Sequence, residues 1–346
     1  MNRKTIKTIC KSKLTKWMKS ITDEKVRKLV EKNTILTGGS IANLLIGEEV
    51  KDYDIYFKDK ETTVAVSRYY VNQFNERHKD KKNRLGGSAK AYVLDGEADL
   101  DRMDNLVSIK TSSDLYKEFT NQGKILTRMI AGCTPDRVKI IVRSDGVAAE
   151  DDNILNEPFE DVVDVLDTAD QVGADKLEGS GSEAMKQDDY RPVFLSSNAI
   201  TLSDKIQVVI RFYGEADQIH ENYDFVHCTN YYDYGKDELV LRPEALESLM
   251  AKELKYQGSK YPLCSVIRTR KFIKRGFHIN AGQYLKMCFQ LSQLDLTNID
   301  VLEDQLVGVD SAYFMVLIEA LRTKQEKDQD FKVENNYVTS IIDRIF

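Results

Sequence analysis

The sequence predicts an α+β fold: a mixed β-sheet with flanking helices, followed by a mainly helical C-terminal region. Three observations predict it. Short β-branched or alternating runs, "TILT" (34–37), "YDIYF" (53–57) and "KIQVVIRFYG" (205–214), alternate with helical stretches over the first 240 residues. From Arg242 onward the pattern turns mainly helical, with Pro243 suited to a first helical position. The 346 residues are enough for two domains. We therefore divide the chain into 1–240, with an acidic insertion or linker at 149–190, and a helical region at 241–346.

The elements follow in order. Apolar residues from Ile6 to Val30 recur at steps of three and four, which predicts helix over 5–32. "TILTGG" enters a turn, and "SIANLLIG" reads as a short helix capped by Ser40 and stopped by Gly47. The strand 53–57 follows, then helix over 62–80, strands at 89–94 and 137–144, and helix over 113–130. After the strand at 205–214, "EADQIHEN" reads as a short helix and "YDFVHCT" (223–229) as another strand.

Charge is unevenly spread. The chain carries a net −6, but residues 150–189 hold fourteen acidic and two basic side chains, so the rest is +6. The first 32 residues carry eleven basic and three acidic groups. A mildly basic body permits a polyanionic ligand; a solvated basic helix is the competing reading. No run of about 18 apolar residues occurs, so no membrane span is expected. Five scattered Cys with no CxxC pattern suggest reduced thiols in a cytoplasmic compartment and no zinc site.

One short span concentrates chemistry: Gly38-Gly39-Ser40 ahead of a helix, then Asp52 and Asp54 around a strand start. Carboxylates at i and i+2 on a strand share a face and repel, a cost that Mg²⁺ removes with hard oxygen ligands. The N–H groups of a Gly-Gly-Ser turn at a helix start can face a phosphate. Together these point to phosphoryl or nucleotidyl transfer.

Gly38-Gly39-x-Ile41, Leu44-Leu45-Ile46-Gly47 and Asp52-x-Asp54 resemble the head-domain signature of the DNA polymerase β-like nucleotidyltransferases, nearest in form to bacterial CCA-adding enzymes and poly(A) polymerases. Ala42-Asn43 stands where that family has Arg-Asp. A second stretch, "IKRGFHINAGQYLK" (273–286), is similar to the segment after the head domain, with Gly276 in place of an Asp; the base-selecting Glu-Asp-x-x-Arg motif has no counterpart. The resemblance implies a nucleotidyltransferase-type sheet and a third acid. Asp224 is the candidate, with Asp99 and Asp101 behind it. Asp52, Asp54 and Asp224 would hold two Mg²⁺ ions (or Mn²⁺). Gly38, Gly39, Ser40, Arg211, Lys274 and Arg275 would contact an NTP. NMP would pass to an acceptor hydroxyl, an RNA 3′ end ahead of a protein, with loss of pyrophosphate. The alternative is a weakly active or inactive fold of that type used for binding or assembly. His227 shares Phe225's face and reads as structural.

Overall fold

The computed structural model describes residues 1–79, 91–95, 138–142, 147–149, 190–196, 198–306, 312–328, 331, 333 and 335–345. The predicted helix at 113–130, the acidic segment at 150–189, and Asp99 and Asp101 lie outside them. Among the described residues the chain separates into two units. The first runs to Ile219 and takes in Tyr231–Val240; the second holds His220–Asn230 and the chain from Leu241.

In the first unit the stretch predicted as one helix is two, α1 (Arg3–Ser20) and α2 (Glu24–Asn33). Ile21 is extended, and the Asp23 carboxylate accepts from the Lys25 and Val26 N–H groups, which starts a new helix. The apolar stripe of α1, Ile6, Cys10, Leu14, Trp17 and Met18, is buried. Trp17 Nε1 donates to Tyr70 Oη at 2.8 Å, inside the core.

The main sheet is built from β1 (Thr34–Thr37), β2 (Tyr53–Phe57), β5 (Val147–Ala149), β6 (Pro192–Ser196), β7 (Ala199–Leu202), β8 (Ile206–Tyr213), β9 (Tyr231–Asp233) and β10 (Glu238–Val240). Their spatial order is β10-β9-β1-β2-β8-β7-β6-β5. Every neighbouring pair is antiparallel except β2 and β8, which are parallel, so the sheet is mixed. A parallel pair needs a long crossover; α3 (Gly39–Ile46) joins β1 to β2, and α4 (Lys60–Arg77) opens the crossover after β2. A separate antiparallel pair, β3 (Ala91–Leu94) and β4 (Lys139–Val142), has β3 beside α4. Helix α5 (Ala216–His220) follows β8.

Three contacts tie these layers together. Lys58, just past β2, pairs with Asp233 of β9 at 2.6 Å, with side chains only 13% and 3% exposed. Asp59 caps α4 and also accepts from Asn33 Nδ2 at 2.7 Å. Asp237, in the β9–β10 turn, accepts from Tyr232 Oη at 2.7 Å and pairs with Lys7 and Lys11 of α1 at 3.2 and 3.1 Å.

The second unit is mainly helical: α6 (Pro243–Ala251), α7 (Pro262–Lys274), α8 (Ala281–Leu291), α9 (Ile299–Leu306), α10 (Ala312–Lys327) and α11 (Asn335–Ile345). Pro243 takes the first helical position, as its fixed φ favours. Leu302, Leu306, Leu317, Ile318, Leu321 and Ile341 form the core of the last three helices. The segment predicted as a strand at 223–229 is a different structure. It makes one bridge at Phe225 to Tyr256 and then a 3₁₀ turn over Val226–Cys228. Its alternating apolar residues pack on helices instead. His227 lies 4.6 Å from the Phe272 ring and 4.8 Å from the Phe277 ring, and burial, with Arg275 adding to it, pushes its pKa down to about 3.

Two outcomes follow from the contacts of the first unit. Lys58→Met leaves the Asp233 carboxylate buried without its nearest cation and should cost about 3–5 kcal/mol, read as a lower urea midpoint at unchanged slope. The Asp237 carboxyl is held down to about 2 by Tyr232, Lys11 and Lys7, from an ordinary 3.8. A lowered carboxylate pKa stabilises the fold above the unfolded value, and that contribution fades as pH falls through the folded one. The melting-temperature gap between wild type and Asp237→Asn should therefore be full above pH 3.8 and close as the pH approaches about 2.

Candidate functional site

The site is a corner of the first unit where β1 ends, α3 begins and β2 starts. Thr37, the last residue of β1, stands opposite Asp54 on β2. On its other side Asp54 stands opposite Gln207 of β8. Paired residues on adjacent strands share a face, so Thr37, Asp54 and Gln207 line one patch. Asp52 precedes the strand by one residue and both aspartates are half-buried.

Gly38 makes the corner possible. Its φ of 91° and ψ of −150° suit only glycine. A Cβ there would stand 2.5 Å from Asp54 Oδ2, so the carboxylate lies directly against the Gly38 backbone. Gly39 differs: a Cβ on it would meet nothing within 4 Å. Ser40 is not the cap that its sequence position suggests. Gly38 is the N-cap residue, and Ser40 sits inside α3, 1% exposed, with no hydrogen-bond partner for its Oγ among the described residues. Gly47 ends the helix in the left-handed region at φ 81°, as its position predicted.

The loop from α3 to β2 is pinned by residues that no motif marks. Asn43 Nδ2 donates to the Glu49 carbonyl at 2.9 Å. Lys205 Nζ pairs with Glu49 Oε1 at 2.8 Å, and the Lys205 carbonyl accepts from the Tyr53 N–H at 2.9 Å. Lys13 of α1 pairs with Asp204 at 2.8 Å, with its ammonium 5.3 Å from the Tyr53 ring centroid and 5.4 Å from that of Tyr190. Burial pulls the Lys13 pKa down, against the pull of Asp204. Burial, with Cys10 and Asp204 nearby, pushes the Tyr53 phenol up to about 12. Tyr53 is thus held from both sides between the two aspartates. Nothing local in the sequence singles out Lys13 or the Asp204-Lys205 turn; the contact spans nearly two hundred residues.

The other predicted site residues lie on other elements. Arg211 lies further along β8, 7% exposed, with its guanidinium 5.5 Å from the Phe212 ring centroid. Asp224, Lys274 and Arg275 belong to the second unit. Asp224 is not on a strand; its carboxylate forms an ion pair with Arg268, whose Nη2 donates to Oδ1 at 3.1 Å and whose Nε lies 2.6 Å from Oδ2. Among the described residues no group of three or more His, Cys, Asp or Glu is placed to hold a metal ion. Among the described residues, too, no helix is long and apolar enough to cross a membrane.

Fold and site together define an α+β protein in which a glycine turn at the end of β1 is pressed against an aspartate of β2. Residues 8–252, more than half of the chain, match the model of the Gad2 family, described as Gabija anti-defense 2 family protein. The chain belongs to this family. A relative, "Gabija anti-defense 2" of Bacillus phage SPbetaL7, is 23% identical over 131 residues, covering 37% of this chain and 32% of that protein. The chain thus matches about a third of its relative's length. No solved structure matches.

Family membership corrects the resemblance to CCA-adding enzymes and poly(A) polymerases, and the function drawn from it. Both NMP transfer to an acceptor hydroxyl and the inactive form of that enzyme give way to a family named for opposing the Gabija defense system. The short Gly-Gly and Asp-x-Asp spacing carries too few residues to outweigh a match over 8–252.

The geometry gives a direct test of the corner. Gly38→Ala should strain a backbone reserved for glycine and displace the Asp54 carboxylate, lowering stability by about 1–3 kcal/mol in a thermal or urea melt. Gly39→Ala, with open space around it, should cost less.

Proposed function

We propose that this chain counters the Gabija defense system, and that it works through the corner formed by Gly38, Ser40, Asp52 and Asp54. One observation carries the reading: the family match over residues 8–252, which contains the whole corner. The local chemistry supports placing the activity there. A stable core calls neither for two like-charged, half-buried carboxylates one residue apart at the start of β2 nor for a buried hydroxyl in α3 without a hydrogen-bond partner among the described residues.

The corner also suits a divalent cation. Its donors, the Asp52 and Asp54 carboxylates, are hard oxygens, and glycine at position 38 lets the Asp54 carboxylate come directly against the backbone at the start of α3. Mg²⁺ is commonly bound by one or two carboxylates with water completing its shell. Asp52 and Asp54 would hold it; when bound, it would neutralise the pair and offer a coordination point to an anionic oxygen.

The test is phage plating on cells that carry the Gabija system. Expression of the wild-type chain should raise the plating efficiency of a Gabija-sensitive phage towards that on cells without the system. Asp52→Asn/Asp54→Asn should abolish the rescue while the purified variant keeps its melting temperature and loses Mg²⁺ binding in calorimetry. Absence of rescue by the wild-type chain sinks the function. Full rescue by the double variant sinks the assignment to this corner.

A further inference from the structure

Strained backbone gathers around one lysine of the first unit. Among the described residues five that are not glycine hold φ in the left-handed region. Three of them meet at Lys13: Tyr190 at 64° and Asp204 at 60° face its ammonium, and Lys205 at 56° follows Asp204 in the chain. Such backbone is costly, persists only where its surroundings over-determine it, and clusters at functional sites. The Lys13 ammonium donates to the Asp204 carbonyl at 2.5 Å, pairs with the Asp204 carboxylate at 2.8 Å and lies 5.4 Å from the Tyr190 ring centroid. The Arg191 N–H donates to Ser203 Oγ at 3.1 Å, and the Ser203 N–H to the Arg191 carbonyl at 2.9 Å. Tyr190 and the 204–205 turn are thus fastened to each other as well as to the lysine, whose side chain is only 14% exposed.

This cluster reaches the corner by two routes, and both end at Tyr53. The Lys13 ammonium lies 5.3 Å from the Tyr53 ring centroid, a distance at which cation and ring attract. The turn that Lys13 holds also takes the Tyr53 N–H, on the Lys205 carbonyl at 2.9 Å. Tyr53 stands between Asp52 and Asp54, and on a strand its side chain leaves by the face opposite to that of Asp54. Fixing its ring and its N–H therefore fixes the rotation of the strand start, and with it the direction of the carboxylates on either side. We propose that Lys13 is a positioning residue for the cation site of the corner: through Tyr53 and the 204–205 turn it aims Asp52 and Asp54 at a divalent ion to which it is not itself a ligand. The inference rests on the cation reading given above. Its sign separates it from a plain charge effect. An ammonium nearby repels a divalent cation, so loss of the charge alone would tighten binding. Only lost positioning weakens it.

Calorimetric titration of the purified full-length chain with Mg²⁺ alone tests this. Lys13→Met keeps the alkyl stem, loses the ammonium and should weaken Mg²⁺ binding about tenfold, as loss of a group that orients metal ligands commonly does. Lys13→Arg keeps a cation between the two rings and should bind within about threefold of wild type. Tyr53→Leu should weaken binding as Lys13→Met does. The double variant Lys13→Met/Tyr53→Leu should be no weaker than the weaker single one, because the two changes remove one contact. Circular dichroism checks the fold of each variant; if Lys13→Met does not fold, Lys13→Gln, which can still donate to the Asp204 carbonyl, takes its place with the same expected direction. Mg²⁺ binding by the uncharged variant that equals or exceeds wild type overturns the positioning role and leaves the cation site standing. So does a double variant whose loss is the product of the single losses, or an arginine variant as weak as the methionine one. Wild-type protein that binds no Mg²⁺ overturns the cation reading and the positioning role together.

Discussion

The first unit depends on a strand of four residues. All four side chains of β1 are buried, and its backbone groups lie where water cannot satisfy them. They are satisfied by β2 on one side and β9 on the other. With both faces buried, a slip by one residue would exchange the side chains packed on the two faces and break the packing on each. The register therefore holds, and with it the positions of Thr37 against Asp54 and of Gly38 at the strand's end. Lys58 and Asp233, a buried ion pair between the β2 end and β9, fix the same arrangement from the side.

The corner is held from a distance as much as by its neighbours. Gly38 provides the gap into which the Asp54 carboxylate fits, yet the aspartate strand is itself set by the β7–β8 turn through the Tyr53 N–H. That turn places Asp204 and Lys205 in the left-handed region, at φ of 60° and 56°. Lys13 of α1 grips it. Local backbone cost is thus spent at one turn and offset by a partly buried ammonium lodged between two aromatic rings.

What was legible in the sequence was local. Helix α3 and its Gly47 stop, strand β2 and the long strand β8 follow from periodicity and turn chemistry alone, because each is specified by residues within a few positions of it. The break between α1 and α2 was also written locally, in Asp23, but a continuous apolar stripe across it concealed the cap. Strands β6, β7, β9 and β10, three to five residues each, exist only because partners pair with them. Residues 223–229 misled for the opposite reason: Phe225 and His227 alternate as a strand would, but bury themselves among Phe272 and Phe277. With that strand went the reason for placing Asp224 beside the other two acids. The chemistry read from Gly-Gly and Asp-x-Asp was a statement about a few atoms; family is a property of the match across 8–252, and one does not fix the other.

Within residues 198–306 the chain crosses between its two units three times: after Ile219, after Asn230 and after Val240. During synthesis from the N-terminus, residues 220–230 emerge before the helices that enclose Phe225 and His227, while β1 still lacks β9. The ribosome therefore delivers an exposed aromatic segment and an open sheet edge at the same moment. The edge closes only when 231–240 appear, and the aromatic segment waits for Phe272 and Phe277. Neither unit can be finished by the nascent chain in strict sequence, so the vulnerable interval for aggregation or proteolysis is set by this interleaving and not by the length of either unit.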